Sequence, residues 1–238
     1  MTRYDGRNKN DVVPTKNTIK TYLENAYYHV YNRGVDKREI FLEKADCIIF
    51  QHFLKLYLSP PEFLIREKEM TPKLLYKVTN LNLFNEVDLL SFSIMPNHFH
   101  LQVKQHSKNG MEKLTRRVLS SYSQYFNKKY RRKGPLFESA YKAVLLTSTE
   151  QFLYLSSYIH RNPIKLKNPK FDFIEFSSYP YYLGEKNAVW LKQKEILDYF
   201  RYSRQSKNNK LLSYENFVHD FKEEPKEVLG DLVLEEDY

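Results

Sequence analysis

The sequence predicts an α+β fold in which an antiparallel sheet carries helices on one face. Segments with strand-like and helix-like spacing follow one another in the order β-α-β-β-α-β. Apolar and aromatic residues alternate in the strand segments, whereas apolar residues recur every three to four positions in the helix segments. This order is the split βαβ pattern of ferredoxin-like sheets, and it leaves the second face of the sheet available.

The first half of the chain supplies three of the strands. The alternating stretch at residues 26–34 ends at a glycine and predicts strand one. Residues 43–60 predict the first helix, because their apolar residues have helical spacing up to Pro60. Residues 61–82 are ambiguous and are interpreted as an insertion. Residues 86–105 then contain two consecutive strands.

The second half supplies the remaining elements of the sheet domain. A long amphipathic helix is predicted at residues 110–132, followed by strand four at residues 137–148. A short helix is predicted at residues 149–162. Its first turn has a possible capping box that starts at Ser148, and it is expected to end before Pro163.

Three parts of the chain follow from this pattern. A polar segment at residues 1–20 precedes a sheet domain at residues 21–170. Residues 171–238 are Tyr- and Lys-rich with weaker helical signals, and they predict a small, mostly helical C-terminal appendage with an acidic tail.

The composition limits where such a chain can work. No apolar run approaches the roughly 20 residues that a membrane span needs, and the N-terminus lacks the apolar core of a secretory signal. Cys47 is the only cysteine, so an intramolecular disulfide is excluded. We therefore expect a cytoplasmic protein with no membrane partner.

Charge is strongly segregated along the chain, whose formal net charge is +9. Residues 101–147 contain eleven Lys and Arg against two Glu, a local balance of 11 − 2 = +9. Residues 214–238 contain nine acids and two lysines, a balance of 2 − 9 = −7. Because aromatic residues interleave with the cations, this pattern favours a nucleic-acid partner over an ordinary solvated helix face.

Two histidines in one strand are the first candidates for chemistry. In the stretch SIMPNHFHLQV, His98 and His100 are two residues apart and leave the strand on the same face, while Phe99 leaves on the other. Imidazole is the commonest protein metal ligand, so the pair predicts a metal site. The alternative is that one or both rings only form hydrogen bonds at the sheet surface.

The following short helix offers a phenol and an amide on one face. Tyr158 and Asn162 are four residues apart and therefore stacked, while Phe152, Leu155 and Ile159 are spaced to face the core. A tyrosine one turn before an asparagine can aim its hydroxyl at whatever the amide oxygen binds. Packing remains the alternative role for any one of twenty tyrosines.

Four motifs together resemble a known family. The motifs lie between about Ala26 and Leu166, and in chain order they are YHVYNRGVDKREIF, NHFHLQV, GPLFESAYKAVLL and YIHRNPIKL. They resemble the HUH single-strand transposases, in particular the REP-associated tyrosine transposase branch. The resemblance implies that His98 and His100 are the metal-binding pair, Tyr158 the single nucleophile and Asn162 the third ligand.

The implied activity is metal-dependent cleavage and rejoining of hairpin-containing single-stranded DNA through a 5′-phosphotyrosine. The divalent cation would be Mg²⁺ or Mn²⁺; Mn²⁺ suits imidazole better, and the sequence leaves zinc open. The enzyme would act as a monomer or as a homodimer that exchanges the nucleophile helix. Two other functions remain open: a domesticated, non-catalytic DNA- or RNA-binding module, and a metal phosphodiesterase that uses activated water.

Basic side chains supply the predicted contacts with DNA phosphates, and Tyr125 and Tyr130 are candidate platforms for unpaired bases. Arg33, Lys37 and Arg38 follow strand one, and the alternative to a DNA contact is that they belong to a solvated loop. Glu138 is a candidate base or a simple strand-edge residue, and His160 is expected to point away from Tyr158. The candidate DNA-binding residues are Arg33, Lys37, Arg38, Arg116, Arg117, Lys128, Lys129, Arg131, Arg132 and Lys133.

Overall fold

Four strands form one antiparallel sheet with the order β2-β3-β1-β4. The structure is a computed structural model and describes residues 22–67, 71–167, 169–203 and 213–220. The strands are β1 Ala26–Arg33, β2 Val87–Ile94, β3 His98–Gln105 and β4 Lys142–Leu145. This topology confirms the predicted ferredoxin-like α+β fold.

Two long helices cover one face of the sheet, as the sequence predicts. Phe99, Leu101 and Val103 alternate toward this face and belong to the main hydrophobic core. The rings of Phe50 on helix α1 and Phe99 on β3 lie 5.0 Å apart, and Tyr122 on helix α4 packs against Phe50 at 5.3 Å. The helices are α1 Lys44–Leu58, α2 Pro61–Glu67, α3 Pro72–Asn80, α4 Gly110–Lys129, α5 Thr149–Ile164, α6 Tyr179–Tyr182, α7 Lys194–Ser203 and α8 Tyr214–Asp220.

The second face of the sheet is not left open, which corrects that part of the sequence prediction. Helix α5 packs on it, and Leu155, Tyr158 and Ile159 join a second buried cluster there. Val218 of α8 and Ile196 of α7 belong to the same cluster. The alternating strands bury aromatic and histidine side chains on this side also, and α5 removes them from water.

The residues after α5 extend the sheet edge at β2. The Ser178 N–H donates to the Phe92 carbonyl at 2.8 Å, and the Phe92 N–H donates to the Ser178 hydroxyl at 2.7 Å. The Lys192 N–H donates to the Leu89 carbonyl at 2.8 Å. Phe176 and Trp190 join the main core. The boundary between a 21–170 domain and a 171–238 appendage stays a prediction, and residues 1–20 and most of the acidic tail lie outside the described residues.

Three element boundaries differ from the sequence prediction for local reasons. The ambiguous segment 61–82 contains two short helices, α2 and α3. Strand four is shorter than 137–148, because the Asn32 side chain bonds to the Ser139 and Ala140 carbonyls in place of a regular ladder. Helix α5 continues through Pro163 to Ile164, although proline has no N–H to donate to the Ile159 carbonyl.

A glycine permits the turn that follows β1. A Cβ at Gly34 would lie 2.3 Å from the Arg38 carbonyl oxygen and 2.7 Å from the Ile40 side chain. Only glycine therefore lets the chain fold back closely enough for the Ile40 N–H to reach the Pro96 carbonyl at 2.8 Å. This turn brings the end of β1 against the loop that precedes His98.

A buried carboxylate joins α1 to α4. Asp46 is fully buried, and its oxygens accept hydrogen bonds from Lys129 at 2.6 Å, Tyr130 at 2.7 Å and Tyr125 at 3.0 Å. The Leu42 N–H donates to the same carboxylate at 2.9 Å. Burial alone would raise the pKa of Asp46, but the bonds from Lys129, Tyr130 and Leu42 outweigh it and hold the pKa below its ordinary value.

Replacing Asp46 with Asn is expected to lower the free energy of unfolding at pH 7 by about 3 kcal/mol, because several donors lose a buried anion. The wild-type carboxylate stabilises the fold above its unfolded pKa near 4, and this contribution is lost as the pH falls through the lower folded pKa. Urea unfolding across pH 2–7 measures both effects. The exposed Asp36→Asn is the control and should change little; equal unfolding of Asp46→Asn and wild type would contradict the role of Asp46.

Candidate active site

One face of the two central strands carries the candidate chemistry. The register places Arg33 opposite His98, Tyr31 opposite His100 and His29 opposite Gln102. These side chains alternate onto the face that α5 covers. The antiparallel pairing of β1 with β3 therefore builds a row of polar groups beneath the helix that carries the predicted nucleophile.

The two predicted ligand histidines lie side by side in this row. Their ring centroids are 4.8 Å apart, and the two side chains are 4% and 0% exposed for His98 and His100. Burial, together with the charges of Arg33 and His29, lowers the pKa of His98 to about 3. Burial also lowers the pKa of His100 well below its ordinary value. Electrostatic repulsion from His98 and His29 lowers this pKa further. Both rings are therefore neutral at pH 7, which is the form that binds a metal.

Each of the two rings is held through its Nδ1 atom. Asn97 Oδ1 lies 2.6 Å from His98 Nδ1, and the Asn97 side-chain amide donates to the Lys37 carbonyl at 3.2 Å. His29 Nε2 lies 2.9 Å from His100 Nδ1. Sequence reasoning did not single out His29 or Asn97. Asn97 could have been noticed as the direct neighbour of His98, whereas His29 is found only through the strand register.

Helix α5 places Tyr158 over the histidines of the same chain. The Tyr158 ring is 5.5 Å from the His100 ring and 6.3 Å from the His29 ring, with edge-on geometry in both cases. Gln102 on β3 anchors the helix, because its amide donates to the Phe152 carbonyl at 2.8 Å. The structure thus brings His98, His100 and Tyr158 together.

Asn162 lies one turn after Tyr158 on α5 and is fully buried. The i, i+4 spacing puts it on the same side of the helix as Tyr158. Its place as a third ligand stays a prediction.

His160 has a different environment, as expected from its place on the helix. It is fully buried, and its ring nitrogens contact Ser178 Oγ at 2.5 Å and the Tyr214 hydroxyl at 2.7 Å. Burial lowers the pKa of His160 to about 3. These bonds connect helix α5 to the C-terminal segment, which gives His160 a structural role.

The donor types at the site fit a divalent cation. Because both Nδ1 atoms face protein partners, the two HUH histidines each present Nε2 as the atom for coordination. Neutral imidazoles and an amide oxygen are suitable ligands for Mn²⁺ or Mg²⁺. Among the described residues, no group of three or more His, Cys, Asp and Glu side chains is arranged to hold a metal.

The candidate DNA-binding residues fall into two groups. Lys128, Arg131 and Lys133 are exposed at the end of α4 and just beyond it. The others have partners within the chain, except that for Lys37 only the backbone contact with Asn97 is described. Arg33 pairs with Glu138 at 3.3 Å, Arg38 with Asp36, Arg116 with Glu112 and Lys129 with Asp46 and Glu43, while Arg117 donates to the Leu81 carbonyl and Arg132 to Asn127.

Two aromatic candidates have structural roles. The hydroxyls of Tyr125 and Tyr130 both donate to Asp46, and their rings pack partly buried against the main core. Their role as platforms for unpaired bases stays a prediction. Glu138 forms ion pairs with Arg33 and with Lys142 at 3.5 Å, which places it at the strand edge and gives no indication of a base.

The site thus combines two imidazoles on a central strand with a tyrosine on the helix that covers it. Residues 62–162 match the family model described as "Transposase IS200 like". This match contains His98, His100, Tyr158 and Asn162, and it confirms the resemblance to the tyrosine transposases. It also includes the ambiguous segment 61–82 almost entirely.

Other comparisons are more distant. A solved structure described as "Structure of the REP associates tyrosine transposase bound to a REP hairpin" is similar at 11% sequence identity. The similarity covers 72% of this chain and 91% of that chain, with a TM-score of 0.45. A search of curated proteins finds no match. Within the part of the chain that the structure describes, no helix is long and apolar enough to cross a membrane.

Proposed function

We propose that this chain is a metal-dependent transposase-like enzyme that binds hairpin-containing single-stranded DNA and cleaves and rejoins it through a 5′-phosphotyrosine. The observation that carries the proposal is the edge-on approach of Tyr158 to His100, with 5.5 Å between ring centroids, inside one chain. Packing alone does not require a nucleophile-capable phenol beside two neutral imidazoles. The family match over residues 62–162 supports the same reading.

In this proposal, different residues hold the cation and contact the phosphate. His98, His100 and Asn162 would hold the cation through two Nε2 atoms and an amide oxygen. A divalent cation at this place supplies charge neutralisation for the scissile phosphate and for the departing oxygen. Arg33 lies directly across from His98 and is paired with Glu138, and its guanidinium would contact a phosphate oxygen.

Tyr158 carries the covalent step. Its phenol oxygen forms a bond to the phosphorus as the P–O3′ bond breaks, the phenol proton is released, and the leaving oxygen becomes a 3′-OH. The product is a 5′-phosphotyrosine with the same number of phosphoester bonds as the substrate. A 3′-OH can therefore reverse the step and join strands without ATP.

Binding and assembly complete the proposal. Lys128, Arg131 and Lys133 are exposed among the predicted phosphate contacts, and they would supply affinity without sequence choice. Because α5 packs on the sheet of its own chain, one molecule can supply the whole site, either alone or within a homodimer. The cytoplasm remains the proposed location.

Incubation of the full chain with an end-labelled single-stranded hairpin, with Mn²⁺ and with EDTA, tests the proposed function. We expect a protein–DNA adduct that survives denaturation only in the presence of Mn²⁺. Cleavage without an adduct would favour the phosphodiesterase that uses water. Hairpin binding with neither cleavage nor adduct would favour the non-catalytic binding module.

A further inference from the structure

His29 forms a direct hydrogen bond with one of the proposed metal ligands. His29 Nε2 and His100 Nδ1 are 2.9 Å apart, and both side chains are fully buried. Their ring centroids are 5.1 Å apart with an interplanar angle of only 19°. The two rings therefore meet edge to edge, so that an N–H on one points along the in-plane lone pair of the other.

The single proton in this contact decides whether His100 can bind a metal. A neutral imidazole carries one N–H. If His29 donates to His100 Nδ1, the hydrogen of His100 must reside on Nε2, and no lone pair remains there for coordination. If His100 donates from Nδ1, its Nε2 lone pair is available. Only the second arrangement is compatible with a cation at His100.

We propose that His29 is a positioning residue that accepts the Nδ1 hydrogen of His100 and so fixes the metal-binding tautomer. The inference rests on the proposed function, because it assumes that His100 ligates the cation. Asn97 acts in the same way on His98 through its side-chain oxygen at 2.6 Å. The two ligands are thus each oriented by one neighbouring acceptor, in the manner general for metal-binding histidines.

The strand pairing explains why His29 can take this role. His29 is opposite Gln102 in the register. Tyr31, the next residue of β1 on the same face, is opposite His100, so His29 is the diagonal neighbour of His100. A diagonal neighbour across an antiparallel pair is within reach of a ring as long as imidazole. His29 also meets the Tyr158 ring edge-on at 6.3 Å, so it contacts the proposed nucleophile as well as the proposed ligand.

Titration of the full chain with Mn²⁺, followed by the electron paramagnetic resonance signal of free Mn²⁺, tests this inference. His29→Leu should weaken Mn²⁺ binding by about 10- to 100-fold, whereas His29→Gln should stay within about threefold of wild type, because its amide oxygen can accept near the Nε2 position. His52→Leu, on the far side of the sheet in α1, is the matched control and should bind normally. Normal binding by His29→Leu, or equal loss in folded Leu and Gln variants, would overturn the inference.

A second measurement needs no variant. ¹⁵N NMR of the Mg²⁺-loaded wild type should show the hydrogen of His100 on Nδ1 and that of His29 on Nδ1, with His29 Nε2 as acceptor. A hydrogen on His29 Nε2 would overturn the inference. If wild type binds Mn²⁺ and forms the adduct while these results fail, only the role of His29 is lost; if wild type binds no Mn²⁺, the metal part of the proposed function falls with it.

Discussion

Tyr158→Phe is expected to abolish the covalent protein–DNA adduct and to lower hairpin cleavage by about 10⁴-fold or more. The variant removes one oxygen atom, which is the atom proposed to attack the phosphorus, and leaves the ring that packs at the site. Because the basic surface is proposed to supply the DNA affinity, hairpin binding should be unchanged. Denaturing gels of labelled hairpin and a filter-binding assay measure the two properties.

Tyr154→Phe is the matched control for this experiment. Tyr154 is on the same helix, one turn before Tyr158, and is 1% exposed within the second core cluster. It should retain the adduct at the wild-type level. An adduct that persists in Tyr158→Phe would assign the nucleophile to another residue and contradict the proposed mechanism.

His98→Leu combined with His100→Leu is expected to lower cleavage and adduct formation by about 10³-fold, because the cation proposed to neutralise the phosphate would be worth several kcal/mol. Leucine preserves much of the side-chain volume but offers no atom for coordination. Mn²⁺ binding should be lost, and hairpin binding in EDTA should match wild type. Single-turnover cleavage at saturating Mn²⁺ and the Mn²⁺ titration together measure the effect.

His106→Leu provides the control for loss of an imidazole near the same strand. His106 follows β3 and pairs with Asp88 at 2.7 Å, away from the proposed ligands. Its replacement should leave cleavage and Mn²⁺ binding unchanged. Full cleavage by the double variant would remove the HUH histidines from the mechanism and leave the pair as buried sheet residues.

Local sequence pattern was sufficient for the sheet and for the main candidates. The alternation in SIMPNHFHLQV puts His98 and His100 on one face whatever their neighbours are. The four-residue spacing puts Tyr158 and Asn162 on one side of α5. Both conclusions follow from the period of a single element, which is why they could be drawn before the structure was known.

Contacts between distant segments could not be predicted in the same way. Asp46 accepts hydrogen bonds from Lys129 and Tyr130, which lie more than eighty residues later in the chain. A buried carboxylate requires such partners, and the sequence gives no indication that Asp46 is buried. The covering of the second face of the sheet could not be predicted for the same reason. The spacing of apolar residues indicates that α5 is a helix but not which surface it packs on.

The sequence by itself determined the order of elements, the two imidazoles that share a face and the phenol that precedes an amide by one turn. Only the tertiary structure decided that these groups meet, that His29 contacts His100, and that His160 fastens α5 to the C-terminal segment. The physical reason is that side-chain period is a property of one strand or helix. Register and helix docking depend on burial summed over the whole chain.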